Sequence, residues 1–392
     1  MGQRGATIGI VGAGIGGLAA AAMLLQRGFR VRIFEQADKF ARVGAGIQMA
    51  PNPVRVLRGI GLEAKLRAVA FEPQTLLNRE HNTGAVTNEV PAGRAIEERY
   101  GAPYLAMHRA DLHALLAGAM PAGAVEFGRK VVAVAQDASA VRLRFADGAD
   151  ATVGALIGAD GVHSTVRSAL LDEAPPRFSG RVAYRAVFPA ARLGADQIDR
   201  SRTKWWGPDR HVVIYYVTAA RDEIYFVTSQ PEDAGWMTPE SWSTQGDMAV
   251  LRDGFAAFHP QVRRVLDACP AAHKWALMER EPFTRWTEGR IALLGDACHP
   301  MPPYMAQGAA MALEDAAVLA RTLDGVAAAG FAAAFRRYEA NRKPRATAIQ
   351  QRSRVNTWLH RETSTDWVYG YDAWSVPLID EAAPLPAEAA PG

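Results

Sequence analysis

The chain has 392 residues, 49% hydrophobic and 22% charged, the composition of an ordinary soluble globular protein large enough for two intimately packed domains. Its net charge of +3 is spread along the sequence, which gives a mild field for anions and no nucleic-acid stripe, so small-molecule partners are expected. The two cysteines, Cys269 and Cys298, form no CxxC pair and no His-rich cluster, so neither a disulfide framework nor a metal site is expected, and no run approaches the roughly 18 apolar residues of a membrane span.

The first predicted elements are a strand at Thr7 to Val11, a glycine turn at Gly12 to Gly17, an Ala/Leu-rich helix to Gly28 and a strand at Val31 to Glu35. The helix is interrupted by Gln26 and Arg27, and no secretory pattern precedes the first strand; a cytoplasmic location and a monomer or homodimer are expected. Apolar strands recur at Leu156 to Gly158 and Ile291 to Leu294, each running into a glycine-acid turn, as if two later segments return to the first sheet. Between them, β-branched and aromatic residues at Arg181 to Phe188, Lys204 to Trp206, His211 to Thr218 and Glu223 to Thr228 predict an antiparallel sheet. After Gly308 the sequence reads as helical through about Gln350, and from Ala382 it becomes an Ala/Pro-rich tail.

The turn carries GxGxxG at Gly12, Gly14 and Gly17, with Ile15 and Gly16 between, and Glu35 ends the next strand 23 residues after Gly12. The glycines allow a tight turn, close approach of a pyrophosphate and close helix packing, while the helix amino terminus favours phosphate. Glu35 suits ribose hydroxyls, and Gln36 and Val131 complete the expected dinucleotide contacts. The motif alone does not separate FAD from NAD.

Two later turns decide it: Gly158-Ala159-Asp160-Gly161, followed by Ser164 and Arg167, and Gly295-Asp296-Ala297-Cys298-His299-Pro300. With the first turn they form a three-fingerprint set that resembles the class A flavoprotein monooxygenases of the para-hydroxybenzoate hydroxylase type. The resemblance implies a Rossmann-like FAD-binding domain (1–75, 100–178 and 285–350), an inserted, mainly antiparallel β-sheet substrate domain (76–99 and 179–284), and a C-terminal segment and tail (351–392). It further implies that Glu35 binds the adenosine ribose, Arg109 reaches the pyrophosphate or ribityl region, and Asp296 binds the ribityl chain. Asp160 would serve both FAD and a passing nicotinamide, and Gln307-Gly308 would present N–H groups near the flavin pyrimidine edge.

Within the family, Gly44-Ala45-Gly46-Ile47, Lys204-Trp205-Trp206, Asp209-Arg210-His211, Met305-Ala306-Gln307-Gly308 and Trp367 to Tyr371 are similar to a subgroup acting on 6-hydroxynicotinate. That similarity implies decarboxylative hydroxylation to 2,5-dihydroxypyridine, with NADH or NADPH and O2 as co-substrates. Three pocket positions depart from the subgroup: a histidine is Gln48 here, a cysteine is Arg202 and a second histidine is Tyr304. A different ring isomer, or a related hydroxybenzoate or pyridine acid, stays open.

On the strand from His211, alternation puts His211 and Tyr215 on one face, an imidazole and a phenol suited to handling the proton of a ring hydroxyl. The expected base is His211 or Tyr215 with Gln48 as orienter, and Arg202 and Tyr304 contact substrate. Removing the ring-hydroxyl proton pushes electron density to the para carbon; a carboxylate there can leave as CO2 after hydroxylation. The competing readings are a salicylate- or hydroxybenzoate-type hydroxylase and a flavin dehydrogenase or reductase that avoids O2.

Overall fold

The computed structural model describes residues 6–42, 45–171, 176–233 and 244–380; the expected tail from Ala382 and the residue Gly44 lie outside these. A six-stranded sheet is built around Thr7–Val11, because a strand buried on both faces needs apolar residues throughout. Arg30–Phe34 pairs with it on one side and Ala155–Gly158 on the other, both parallel, and Ile291–Leu293 adds a further parallel strand beyond Ala155–Gly158. The two later apolar segments therefore do return to the first sheet, and their glycine-acid turns emerge at the same edge as Gly12.

The helix Ile15–Gln26 is buried almost all round from Ile15 to Leu24, since the sheet covers one side and the helix Gly308–Leu323 packs on another. The helical stretch expected from Gly308 to about Gln350 is two helices, Gly308–Leu323 and Phe331–Val355. Gly325, at φ +75°, supplies the left-handed turn that ends the first.

A seven-stranded sheet stands opposite. Its order is His273–Glu279, Arg177–Pro189, Glu223–Pro231, His211–Tyr216, Ser201–Trp206, Thr75–Glu80 and Val86–Pro91. Neighbours are antiparallel except Ser201–Trp206 with Thr75–Glu80, which run parallel. The strand expected to begin at Lys204 begins at Ser201, because Ser201 and Arg202 pair with Thr75 and Leu76; Arg202 is thereby fixed in the sheet rather than in a loop. One face carries Val212, Ile214, Tyr216, Phe226 and Phe188, and packs against Phe71, Leu251, Phe255 and Val262 as an apolar core. The opposite face is the one that matters for chemistry.

A short ribbon, Gly46–Met49 with Leu105–His108, joins the two halves. It delivers Gln48 to the seven-stranded sheet, and Arg109, whose N–H donates to the Ala45 carbonyl at 2.8 Å, to the six-stranded one.

Candidate active site

At the carboxyl edge of the six-stranded sheet the turn after Thr7–Val11 is forced by sterics. Gly12 sits at φ +98°, and a Cβ there would stand 2.4 Å from the Ala159 oxygen; a Cβ on Gly17 would stand 2.0 Å from the Gly12 oxygen. Gly14 has nothing near its missing side chain, so that side of the turn is open. Ile15 and Gly16 lie in the first helical turn, where N–H groups have no partner within the helix, so they offer backbone rather than side chains.

Both Glu35 oxygens are pinned, one accepting from the Ala13 N–H at 2.8 Å and the other from the Ala37 N–H at 2.9 Å. This holds the carboxylate at the rim of a cleft of about 280 Å³ lined by Gly12, Gly14, Glu35, Gln36, Val131 and Asp160. Arg129, His163 and Thr165 line it too, and no motif had singled them out. Asp160 accepts from the Ser164 hydroxyl at 2.5 Å and the Val166 N–H at 3.1 Å, so it caps the helix Thr165–Leu170 while facing the cleft; burial pushes its pKa up.

Arg109 and Asp296 are solvent-accessible yet closely surrounded by protein. Burial lowers the arginine and raises the aspartate, and each partly offsets the other's shift through mutual attraction. Arg109 does not pair with its neighbour Asp111, which pairs with Arg42. Gln307 is 2% exposed and accepts from the Asn52 amide at 2.9 Å; Gly308 opens the helix behind it. Ala306, just before, is held at φ +54°, a left-handed strain that costs about 1 kcal/mol or more.

The third fingerprint rests on a charge network whose members are buried apart from Arg345, which is partly so. Arg342 bonds Asp315 at 2.8 Å and is ion-paired with Glu314 at 2.9 Å, Arg345 bonds Glu314 at 2.7 Å, and His299 bonds Asp315 at 2.5 Å. Asp315 also accepts from the Gly295 N–H at 3.2 Å, and its pKa stays low because His299 and Arg342 outweigh its burial. Cys298, His299 and Asp315 offer atoms within 4.8 Å of one another. The group does not suit a metal: the Arg342 guanidinium already neutralises Asp315, and burial with the nearby carboxylates raises the Cys298 thiol well above its ordinary value.

On the seven-stranded sheet, register decides the second half of the site. Lys204 pairs with Val213 and Trp206 with His211, so Arg202, Lys204, Trp206, His211, Val213 and Tyr215 share one face. The next strand adds Tyr225 and Ser229, opposite Tyr215 and His211. Arg202 and Lys204 are 4% and 1% exposed, and neither has a carboxylate partner among the described residues. The Arg202 Nε donates to Gln48 Oε1 at 3.2 Å, while its Nη1 has no partner. The same Gln48 oxygen accepts from the Tyr104 hydroxyl at 2.6 Å, and Gln48 lies beside Tyr215, whose pKa burial raises well above its ordinary value.

A second group forms around His211. Its ring meets Tyr304 edge-on at 5.6 Å between centroids, and the Tyr304 and Ser229 hydroxyls are 3.0 Å apart. Asn356 accepts from Lys204 Nζ at 3.1 Å and turns its amide to donate to His211 Nδ1 at 3.4 Å. With the amide oriented by the lysine in this way, a neutral His211 would carry its proton on Nε2. Burial and the Lys204, Arg181 and Arg202 charges lower its pKa well below 6.5, so it is neutral.

The expected pair His211 and Tyr215 thus share a face without touching. They lie four residues apart, roughly 13 Å along the strand, and belong to different groups: Tyr215 with Gln48 and Arg202, His211 with Tyr304 and Asn356. Lys204, Tyr225 and Ser229 were within reach of strand alternation once the register is known. Tyr104 and Asn356 arrive from distant segments and leave no local signal, whereas Tyr369, whose ring meets Tyr104 at 6.0 Å, belongs to the stretch Trp367 to Tyr371 that the sequence singled out without a role.

A Gly-rich turn, a pinned rim carboxylate and the solvent-accessible pair Asp296 and Arg109 fit an extended dinucleotide, and the seven-stranded sheet offers a cationic, aromatic-lined face. Together they define an FAD-dependent aromatic monooxygenase. The chain belongs to the family described as FAD binding domain, whose model matches residues 5–353. It is 45% identical to 6-hydroxynicotinate 3-monooxygenase of Bordetella bronchiseptica over 373 residues, covering 95% of this chain and 97% of the relative. It is 41% identical to 3-amino-4-hydroxybenzoate 2-monooxygenase of Streptomyces cremeus, covering 90% and 87%. The crystal structure of Klebsiella pneumoniae HpxO complexed with FAD and uric acid matches 93% of this chain and 91% of that one, with a TM-score of 0.81 at 27% identity. No helix among the described residues is long and apolar enough to cross a membrane.

Proposed function

We propose that this flavoprotein hydroxylates a small aromatic acid bearing a ring hydroxyl, with 6-hydroxynicotinate as the substrate, O2 as the oxygen source and NADH or NADPH as the reductant. The observation that carries this is Arg202: a cation 4% exposed, with an unsatisfied Nη1, set beside Gln48, Tyr104 and Tyr215 with no carboxylate partner among the described residues. A buried unpaired charge is costly, and a substrate carboxylate removes that cost.

In the cofactor cleft Glu35 would hold the adenosine ribose, the Gly14 to Gly17 amides the pyrophosphate, and Asp296 with Arg109 the ribityl region, while Gln307 and Gly308 border the ring. Reduced FAD with O2 supplies an electrophilic oxygen; the residues decide where it lands. Arg202, Gln48 and Tyr104 orient the acid. His211, with Nε2 protonated, donates to the substrate rather than acting as the base expected for it, and Tyr215 is likewise a donor. Ionisation of the ring hydroxyl is favoured by the excess positive charge of the face, which stabilises the oxyanion and enriches the para carbon. When that carbon carries the carboxylate, its hydroxylation leads to loss of CO2 and rearomatisation.

Gln48, Arg202 and Tyr304 stand where the subgroup has other residues, and this supports a second reading, a hydroxybenzoate in the same seat. A substrate panel separates the two. NADH oxidation and oxygen uptake are measured with 6-hydroxynicotinate, its isomers, salicylate and the monohydroxybenzoates, and products are identified by mass. Highest coupled turnover on 6-hydroxynicotinate with loss of the carboxyl group supports the first reading. Coupled turnover on a benzoate without that loss replaces it with the second.

A further inference from the structure

We propose that Lys204 selects the substrate's second anionic group, pairing with an ionised ring oxygen para to the carboxylate held by Arg202. This rests on the reading of Arg202 given above. Lys204 is 1% exposed, yet among the described residues its Nζ has neutral partners, Asn356 Oδ1 at 3.1 Å and the Trp206 ring at 3.6 Å. Burial, together with the charges of Arg202 and Arg181, which repel rather than balance it, lowers its pKa well below 10.5. Glu80 and Glu223 are the carboxylates at matching positions on the face, and both sit at partly exposed strand ends.

Two such cations on one face are not explained by folding, since each raises the cost of the other. Their geometry suits one ligand. Arg202 and Lys204 are alternate residues of one strand, roughly 7 Å apart along it, and their head groups diverge, one to Gln48 and Tyr104, the other to Asn356 and Trp206. That separation corresponds to the length of a six-membered ring with its two para substituents, so a dianionic para-hydroxy acid balances both charges at once. A benzoate lacking the hydroxyl balances only Arg202, and a meta isomer turns its oxygen aside.

The test titrates the FAD-loaded enzyme with matched pairs, 6-hydroxynicotinate against nicotinate and 4-hydroxybenzoate against benzoate, plus 3-hydroxybenzoate, following affinity and the absorption of the bound ring oxyanion. The parent should bind a para-hydroxy acid on the order of ten-fold or more tighter than its partner without the hydroxyl, with the oxyanion band present near neutral pH. In Lys204→Met that advantage and the band should vanish while affinity for the deoxy acid holds. Asn356→Asp keeps the lysine but gives it an internal counterion, and should produce the same loss; Asn356 sits at φ +53°, a conformation aspartate also tolerates. Survival of the advantage and the band in either well-folded variant, or a parent preference for the meta isomer, overturns the assignment. If only the benzoate pair behaves as described, the role of Lys204 stands and the 6-hydroxynicotinate reading falls; if no acid of the panel binds, both fall.

Discussion

Replacing Arg202 with methionine should raise stability while removing function. The guanidinium is buried, its hydrogen-bond partner among the described residues is the neutral Gln48 oxygen, and Nη1 is unsatisfied. Leaving a buried donor unpaired costs about 1–3 kcal/mol, and methionine fills similar space without that cost. The unfolding free energy of the FAD-loaded protein should therefore stay level or rise by up to about that amount. A substrate carboxylate held by two charge-assisted hydrogen bonds, at roughly 1.5–3 kcal/mol each, would lose about 3–6 kcal/mol of binding, a hundred- to ten-thousand-fold weaker affinity. Urea unfolding and ligand titration by flavin absorbance read the two quantities on one preparation. A destabilisation of about 3–5 kcal/mol, as when one partner leaves a buried ion pair, would refute the view that Arg202 lacks a counterion. Affinity within about three-fold of the parent would refute its role as the carboxylate site.

Asp296→Ala should purify pale, because a carboxylate expected to accept ribityl hydroxyls is worth roughly 1.5–3 kcal/mol per charged hydrogen bond; the ratio of flavin to protein absorbance measures this, and normal occupancy at micromolar protein contradicts it. Arg342→Met should lose about 3–5 kcal/mol of stability in chemical denaturation, since it strands Glu314 and Asp315 in the core beside only Arg345 and His299. His211 has a folded-state pKa below its unfolded value, so the unfolded chain takes up the proton first as pH falls below about 6.5, and stability declines by up to about 1.4 kcal/mol per pH unit. His211→Asn should flatten that acid limb between about pH 6.5 and 5.5; an unchanged slope would show that His211 is not held neutral.

The cofactor half of the molecule was legible because its constraints are local. A Cβ at Gly12 or Gly17 collides with backbone, and Glu35 reaches back to the Ala13 amide only from the end of the next strand, so both leave fixed spacings in the sequence. The substrate half was legible only in part. Alternation placed His211 and Tyr215 on one face, but which residues oppose them depends on register between strands far apart in sequence. It also depends on Asn356, whose contact with Lys204 spans 152 residues. For that reason Lys204 read as a motif letter rather than as an unbalanced charge, and the contact between His211 and Asn356, which supports the donor role proposed above, left no trace in the sequence. Arg202 was visible as a departure from related sequences, yet its lack of a counterion shows only in three dimensions.

Hydroxylation of 6-hydroxynicotinate is measured by running the reaction with NADH under isotopically heavy O2 and analysing the product by mass. The expected product is 2,5-dihydroxypyridine carrying one heavy oxygen atom, formed in step with NADH oxidation and CO2 release. Consumption of NADH with the acid recovered unchanged and hydrogen peroxide as the sole oxygen product, or a hydroxylated product without heavy oxygen, would contradict the proposed function.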